Sequence, residues 1–356
     1  MSFELRKLED VCDILDHMRI PITSRDRKAG PYPYYGANGI QDYIDDYIFD
    51  DELVLLAEDG GNFGSKEKPI AYRISGKTWV NNHAHVLKPK NIIDVDYLCY
   101  SLMYYDVSGL VNGATRQKLT QSEMRKINIR YRRLEKQRQI VFKIKLISNI
   151  ISSRKHQLCN LDSLVKSRFV ELFLQANESF PKKKLGECTV INPKKSMDTR
   201  LKEDLIVSFV PMASVGEDGS IDTSEKKLYR EVKSGFTYFI EGDVLFAKIT
   251  PCMENGKGAV AINLYNGIGF GSTEFHVIRP LEGFTNPVWL YNLSVSKKFR
   301  LEAEANMTGS AGQKRTPASF LQNYEIKLPP IELQNQFADF AEQVDKSKFV
   351  VTAKFQ

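Results

Sequence analysis

LEKQRQIVFKIKLISNIISSRKHQLCNLDSLVKSRFVELFLQ, the stretch Leu134–Gln175, holds neither glycine nor proline. Nothing in its backbone chemistry interrupts a helix. Alternate steps of four and three from Ile140 land on Ile144, Ile147, Ile151, Arg154, Leu158, Leu161, Val165, Arg168 and Leu172. All but the two arginines are apolar. A repeat of about 3.5 residues held this long predicts a coiled-coil seam, not a short amphipathic surface helix. At about 1.5 Å per residue, Ile140 to Leu172 spans roughly 50 Å. Such a seam needs a partner. After Leu328-Pro329-Pro330, the residues Phe337, Phe340, Val344, Ser347 and Val351 repeat the spacing. Two prolines suit the first turn of a helix, where a missing N–H costs nothing. The expectation is an antiparallel pair; the alternative is that each helix packs on its own domain.

Outward from the long helix, the two flanks repeat each other in order. KLEDVCDI (Lys7–Ile14) answers to KLGECTVI (Lys184–Ile191), and DELVLLAEDGGNFG (Asp51–Gly64) to GDVLFAKITPCMENG (Gly242–Gly256). HVLKP (His85–Pro89) answers to HVIRP (His276–Pro280), and DYLCYSLMYY (Asp96–Tyr105) to PVWLYNLSVS (Pro287–Ser296). ATRQKLT (Ala114–Thr120) answers to GSAGQKRT (Gly309–Thr316), and LEKQRQI (Leu134–Ile140) to IELQNQF (Ile331–Phe337). Each match is weak, but six in one order define a half-repeat. The predicted organisation is a globular unit over 1–130, a long helix over 131–180, a second globular unit over 181–328 and a C-terminal helix over 329–356. Tyr43–Ile48, Glu52–Ala57, Ile70–Ile74, Thr78–Val80 and Ala84–Leu87 read as strands, with Tyr97–Tyr105 helical. In the second unit Ser208–Pro211, Asp243–Lys248, Val260–Asn263 and Thr273–Arg279 read as strands, with Val288–Phe299 helical. The fold class is α+β: two strand-rich domains in tandem, separated by long helices with a pseudo-twofold relation.

The 356 residues suit about two domains, and a chain 42% hydrophobic and 26% charged is neither disordered nor membrane-like. The N-terminal residues lack a secretory apolar core, and the five cysteines show no CxxC spacing. These features predict a cytoplasmic protein without disulfides. The net charge of +6 is unevenly spread. Arg125–Lys184 carries 16 Lys/Arg against 4 Asp/Glu, whereas residues 1–124 carry 14 against 19. The excess positive charge therefore sits on the connecting helix.

With YPYYGANGI (Tyr32–Ile40), VLLAEDGGNFG (Val54–Gly64), the two G-x-x-Q-K-x-T-like loops and the LExQ helix starts, the chain resembles the specificity subunit of type I restriction-modification systems over nearly its whole length. The resemblance implies that each globular unit is a target recognition domain reading half of a split double-stranded DNA sequence. It implies that the helices form an antiparallel coiled coil that separates the halves and docks methyltransferase subunits, two of them, with restriction subunits joining through the complex. Two features depart from the pattern: IRYRRLEKQ lacks the double proline of the second copy, and the final helix is short.

DNA affinity rests on Lys/Arg against phosphates, and specificity on side chains that reach base edges. The first candidates are the loops before the helices, Asn112, Thr115, Arg116, Gln117 and Lys118, answered by Thr308, Ser310, Gln313, Lys314 and Arg315. Arg and Lys suit guanine, and Gln and Asn suit adenine. Next come Tyr34, Tyr35, Asn38 and Gln41 on a glycine-rich turn. Asn62, Ser65, Lys66 and Lys68 answer to Lys248, Thr250, Asn255 and Lys257. Lys194 and Lys195, with Arg200, form a basic loop of the second copy alone. The structural alternatives are capped loops, aromatics packed under a hairpin, and solvated turns.

His83 and His85 share a strand face, but a metal site would need Asp59 brought in by folding, and none is predicted. There is no phosphate-binding GxxxxGK[ST], no amino-methylation motif and no nucleophile elbow. The expectation is a non-catalytic DNA reader and scaffold without a cofactor. The competing reading is a coiled-coil protein-interaction scaffold that does not bind specific DNA, favoured by the acidic run around Asp45–Glu52.

Overall fold

The computed structural model describes residues 3–113, 117–175, 180–310 and 312–353. The chain divides into two compact units, residues 1–153 and 154–356, with the division falling inside the long helix.

The first unit holds two four-stranded sheets. β1 (Cys12–Ile14), β2 (Ala29–Gly36), β3 (Gly39–Ile44), β4 (Phe49–Asp50), β5 (Leu53–Ala57), β6 (Ala71–Ile74), β7 (Lys77–Val80) and β8 (Ala84–Pro89) precede the helix α1 (Val95–Leu102). One sheet has the order β1-β8-β5-β6, antiparallel throughout. The other has the order β3-β2-β7-β4, in which β2 and β7 run parallel. β5 is wholly buried, since LVLLA has both faces covered. A ribbon of Glu4–Lys7 with Asn128–Tyr131 closes the unit where the long helix α2 (Leu134–Phe169) begins.

The second unit repeats this plan. β9 (Thr189–Ile191), β10 (Ile206–Val210), β11 (Lys226–Leu228), β12 (Thr237–Ile240), β13 (Val244–Ala247), β14 (Gly258–Val260), β15 (Ile268–Gly271) and β16 (Phe275–Pro280) form sheets of order β9-β16-β13-β14 and β11-β10-β15-β12. Once more one sheet is antiparallel, and the other contains one parallel pair, β10 with β15. A ribbon of Lys182–Lys184 with Glu325–Lys327 matches that of the first unit. The half-repeat read in the sequence is thus a repeat of strand order and direction. Gly269 on β15 is required by packing: a Cβ there would lie 2.1 Å from the Phe239 ring.

α3 (Pro287–Val295) and α4 (Lys297–Ala305) replace the single helix expected over Val288–Phe299. Ser296 breaks the run, its extended backbone capping α4 with a hydroxyl that accepts from the Phe299 N–H. The strand expected over Tyr43–Ile48 ends at Ile44, and beyond it the Asp46 carboxylate accepts the Tyr47 N–H in the turn that leads to β4.

The long helix continues past Phe169 as a π-helical turn, Val170–Gln175. Within the second unit it runs antiparallel to α5 (Ile331–Ala353): Phe337 meets Phe169 and Phe173 with ring centroids 5.5 Å apart, and Lys348 meets Asp162 at 2.6 Å. Of the expected seam, Leu158, Leu161, Val165 and Leu172 are half-buried, and Phe337 and Val344 are buried with Phe340 half-buried. Ile140 and Ile144 are half-buried, Ile140 against the first unit's core. Ile147 and Ile151 are 57% and 42% exposed. Both stand on the part of the long helix that belongs to the first unit, whereas the contacts with α5 lie in the second. Among the described residues no helix is long and apolar enough to cross a membrane.

Candidate nucleic-acid interface

In the first unit four connections meet where β5 ends. Leu119 N–H donates to the Glu58 carbonyl (2.7 Å), and Glu58 N–H donates to the His83 carbonyl (2.9 Å). Asn38 donates from Nδ2 to the Gly60 carbonyl at 2.9 Å, and Asn81 to Gln41 Oε1 at 3.0 Å. The β2–β3 turn, the start of the β5–β6 loop, the β7–β8 loop and the Gln117–Lys118 segment therefore lie at one end. Asn112 is exposed and pairs across a short ribbon with Lys118. Gln117 is exposed; Thr115 and Arg116 lie outside the described residues.

Beneath this end sits a charged network. His85 approaches Asp16 at 2.6 Å through Nδ1 and donates from Nε2 to the Leu119 carbonyl at 2.8 Å. Arg19 reaches Glu58 at 2.6 Å, and Lys118 reaches it at 3.0 Å. Burial alone would raise the Asp16 carboxyl; the His85 bond and charge, the Val86 N–H and Arg19 outweigh it and hold it below the usual range. Asp16, Glu58 and His85 bring ligand atoms within 4.8 Å of one another. The Arg19 guanidinium already neutralises that group, so the donor set fits a salt-bridge network and not a metal. His83 pairs with Asp59 at 2.6 Å.

The second unit keeps the geometry and removes the charge. His276 Nε2 donates to the Thr316 carbonyl at 2.8 Å, and Nδ1 accepts from Asn192 Nδ2 at 3.0 Å. Asn192 stands where the first unit has Asp16: its Oδ1 accepts from the Val277 N–H, as Asp16 Oδ1 accepts from Val86. Thr316 N–H donates to the Lys248 carbonyl and Thr250 N–H to that of Lys314, which joins the β13 end to the loop before α5. Lys194, Ser310, Gln313 and Lys314 are exposed. Lys195, Lys248, Thr273 and Phe236 line one recess.

Several candidates are already engaged. Tyr34 is 1% exposed, with its hydroxyl accepting from the Ile22 N–H and Arg27 stacked on its ring, so it has no face to offer a base. Tyr35 is half-buried against Tyr72. Arg315 forms a bidentate pair with Glu274 at 2.9 and 2.8 Å. Asn255 donates to Glu217 and Lys257 to the Met212 carbonyl, and Asn62 makes a long bond to the Pro69 carbonyl. Lys66 is exposed on a turn built by the Ser65 hydroxyl. Sequence reasoning missed Arg19, Phe236 and Thr273, because nothing local in their segments marks the end of the sheet they occupy. Burial pushes the Cys12 thiol up to about 12 and the Cys99 and Cys188 thiols to about 11, so none of the three is a thiolate nucleophile.

Comparison with known proteins follows the same division. The family described as type I restriction modification DNA specificity domain matches residues 2–160 and again 177–354. The EcoAI and EcoEI type I restriction enzyme specificity subunits of Escherichia coli are each 43% identical over 148 residues, 41% of this chain and 24% of the relative. The matched stretch thus spans about a quarter of those relatives' length. The type I restriction-modification S subunit from M. genitalium superposes with a TM-score of 0.58 at 11% identity, covering 99% of this chain and 92% of that one. That likeness is one of fold. Two family matches, one per structural repeat, place the chain in the type I restriction modification DNA specificity domain family.

Proposed function

We propose that the chain is the DNA-reading subunit of a type I restriction-modification complex. Each unit reads one half of a bipartite, asymmetric double-stranded DNA target. The long helix and its C-terminal partner set the spacing. The chain performs no catalysis of its own and needs no cofactor; methyltransferase subunits, two by the twofold repeat, dock on it and bring restriction subunits with them. The observation that carries this reading is the convergence of equivalent loops at the same end of two topologically identical units. In the first unit the contact residues are Asn38, Asn112, Gln117 and Lys118, with Thr115 and Arg116 from the same loop. In the second they are Lys194, Lys195, Lys248, Ser310, Gln313 and Lys314, with Arg315 joining them only when it leaves Glu274. Phe142, Leu146, Ile147, Ile150 and Ile151 are all exposed on one helix, an apolar stripe suited to docking protein subunits.

The scaffold reading without DNA binding draws support from Asp16, Glu58 and Asp59, which leave the first unit's end poor in free positive charge. A mobility-shift titration with random duplex at rising salt separates the two. A DNA reader loses affinity steeply, because each neutralised phosphate contributes about −0.9 to the log–log slope. No shift at low salt would contradict it.

A further inference from the structure

Phe236 stands 38% exposed immediately before β12, edge-on to Phe209 with centroids 4.9 Å apart. Phe209 in turn carries the Lys227 ammonium 3.5 Å from its ring centroid. The turn that presents Phe236 is held in place: Gly235 adopts φ +79°, and Lys195 Nζ donates to the Lys233 carbonyl. Beside the ring, Lys195, Lys248, Thr273 and Asn192 wall a recess of about 290 Å³. Lys248 belongs to the same hydrogen-bonded end as Lys314. A rigid apolar ring between lysines is poorly served by water alone. A duplex answers both parts, with phosphates for the ammonium groups and a base step for the ring.

The repeat sharpens the point. Phe239 and Phe49 occupy corresponding strands, β12 and β4, and both are buried. Three residues upstream, the second unit has Phe236 and the first has Asp46. An aspartate can neither stack on a base nor approach a phosphate, so the device belongs to the second unit alone.

We propose that Phe236 enters the second unit's half-site as an apolar wedge at one base step, with Lys195 and Lys248 on the flanking phosphates. The proposal rests on the DNA-reading function above and adds a deformation to it. Pyrimidine–purine steps unstack most cheaply, so the wedge selects such a step without a hydrogen bond to either base.

The test uses the full chain, alone and with its host's methyltransferase subunits, to select from a pool of random duplexes. Enriched duplexes are then probed with permanganate, which oxidises unstacked thymines. The wild-type chain should enrich a bipartite motif and expose a reactive thymine in one half-site only. Phe236→Ala should remove that reactivity and weaken selection at the step about tenfold, the scale of one lost base discrimination, while Phe236→Leu, still an apolar wedge, should keep part of both. The other half-site should be unchanged, and thermal unfolding should confirm that the variant is folded. A bipartite motif with no reactive thymine, or reactivity that persists in Phe236→Ala, would overturn the wedge and leave Phe236 a packing residue. Failure to enrich any bipartite motif would overturn the DNA-reading function and the wedge with it.

Discussion

Gln137 and Gln334 make the same three hydrogen bonds at the starts of the two long helices. Gln137 Oε1 accepts from the Asp94 N–H (2.8 Å), and its Nε2 donates to the Ile92 (3.0 Å) and Arg132 (2.6 Å) carbonyls. Gln334 Oε1 accepts from Asn286, and its Nε2 donates to Phe284 and Pro329, all at 2.9 Å. Both side chains are 0% exposed. The glutamine of LEKQ and that of IELQ thus each tie a long helix to the N-cap of the short helix, α1 or α3, within its unit. Gln137→Leu and Gln334→Leu keep the volume and strand one buried N–H and two carbonyls. Each should cost about 1–3 kcal/mol in urea unfolding. A loss below about 0.5 kcal/mol would mean that water replaces the amide.

The contact between the long helices should be carried by apolar packing. Phe337 is fully buried between Phe169 and Phe173 and packs in the second unit's core, so Phe337→Ala should cost about 3–5 kcal/mol. Lys348→Met breaks the partly exposed bridges to Asp162 and Asp345 and should cost no more than about 1 kcal/mol. Denaturant midpoints of the two variants, compared at equal slope, check the ordering.

The two buried histidine sites should respond differently to acid. In the second unit, burial and Lys248 lower the His276 value, against the pull of the Thr316 carbonyl and Glu274. The unfolded chain therefore takes up the proton first. Stability from this site is complete above the ordinary histidine value, about 6.5, and is lost as pH falls below it. In the first unit the Asp16 value is lowered, so its contribution is complete above about pH 4 and is lost only as pH falls further. Melting temperatures between pH 7.5 and 5 should fall less for His276→Gln than for the wild type. An identical slope would contradict the neutral assignment of His276.

Reading by the two units should be separable. Gln117→Ala should change base preference in one half-site, and Lys314→Ala should act on the other. Lys314 makes no ion pair among the described residues, so its loss should also reduce the salt slope by about one. Arg315 is held by Glu274, and Glu274→Gln should release it and strengthen non-specific binding. Duplex selection with each variant reads both half-sites at once. Equal loss in both half-sites from every variant would reduce these residues to phosphate contacts.

Much of this architecture was legible because repetition survives where single motifs are faint. HVLKP and HVIRP fall on β8 and β16, and LEKQ and IELQ on the helix starts. β2 was not legible: Pro31 and Pro33 argue against a strand. They are tolerated because β2 meets its second neighbour, β7, only at Tyr34 and Tyr35. The interface was less legible than the fold. A row of aromatics does not show that Tyr34 turns inward, and a lysine in a loop does not reveal that Glu58 already holds Lys118. Phe236 carries no motif; only the strand order places it beside Lys195 and Lys248.

If the chain is the DNA-reading subunit proposed above, it determines which bipartite DNA sequence is modified. Methylome sequencing of its host with and without the chain tests it most directly. A split methylated motif should disappear when the chain is removed and change in one half when Gln117 is substituted. An unchanged methylome would contradict it.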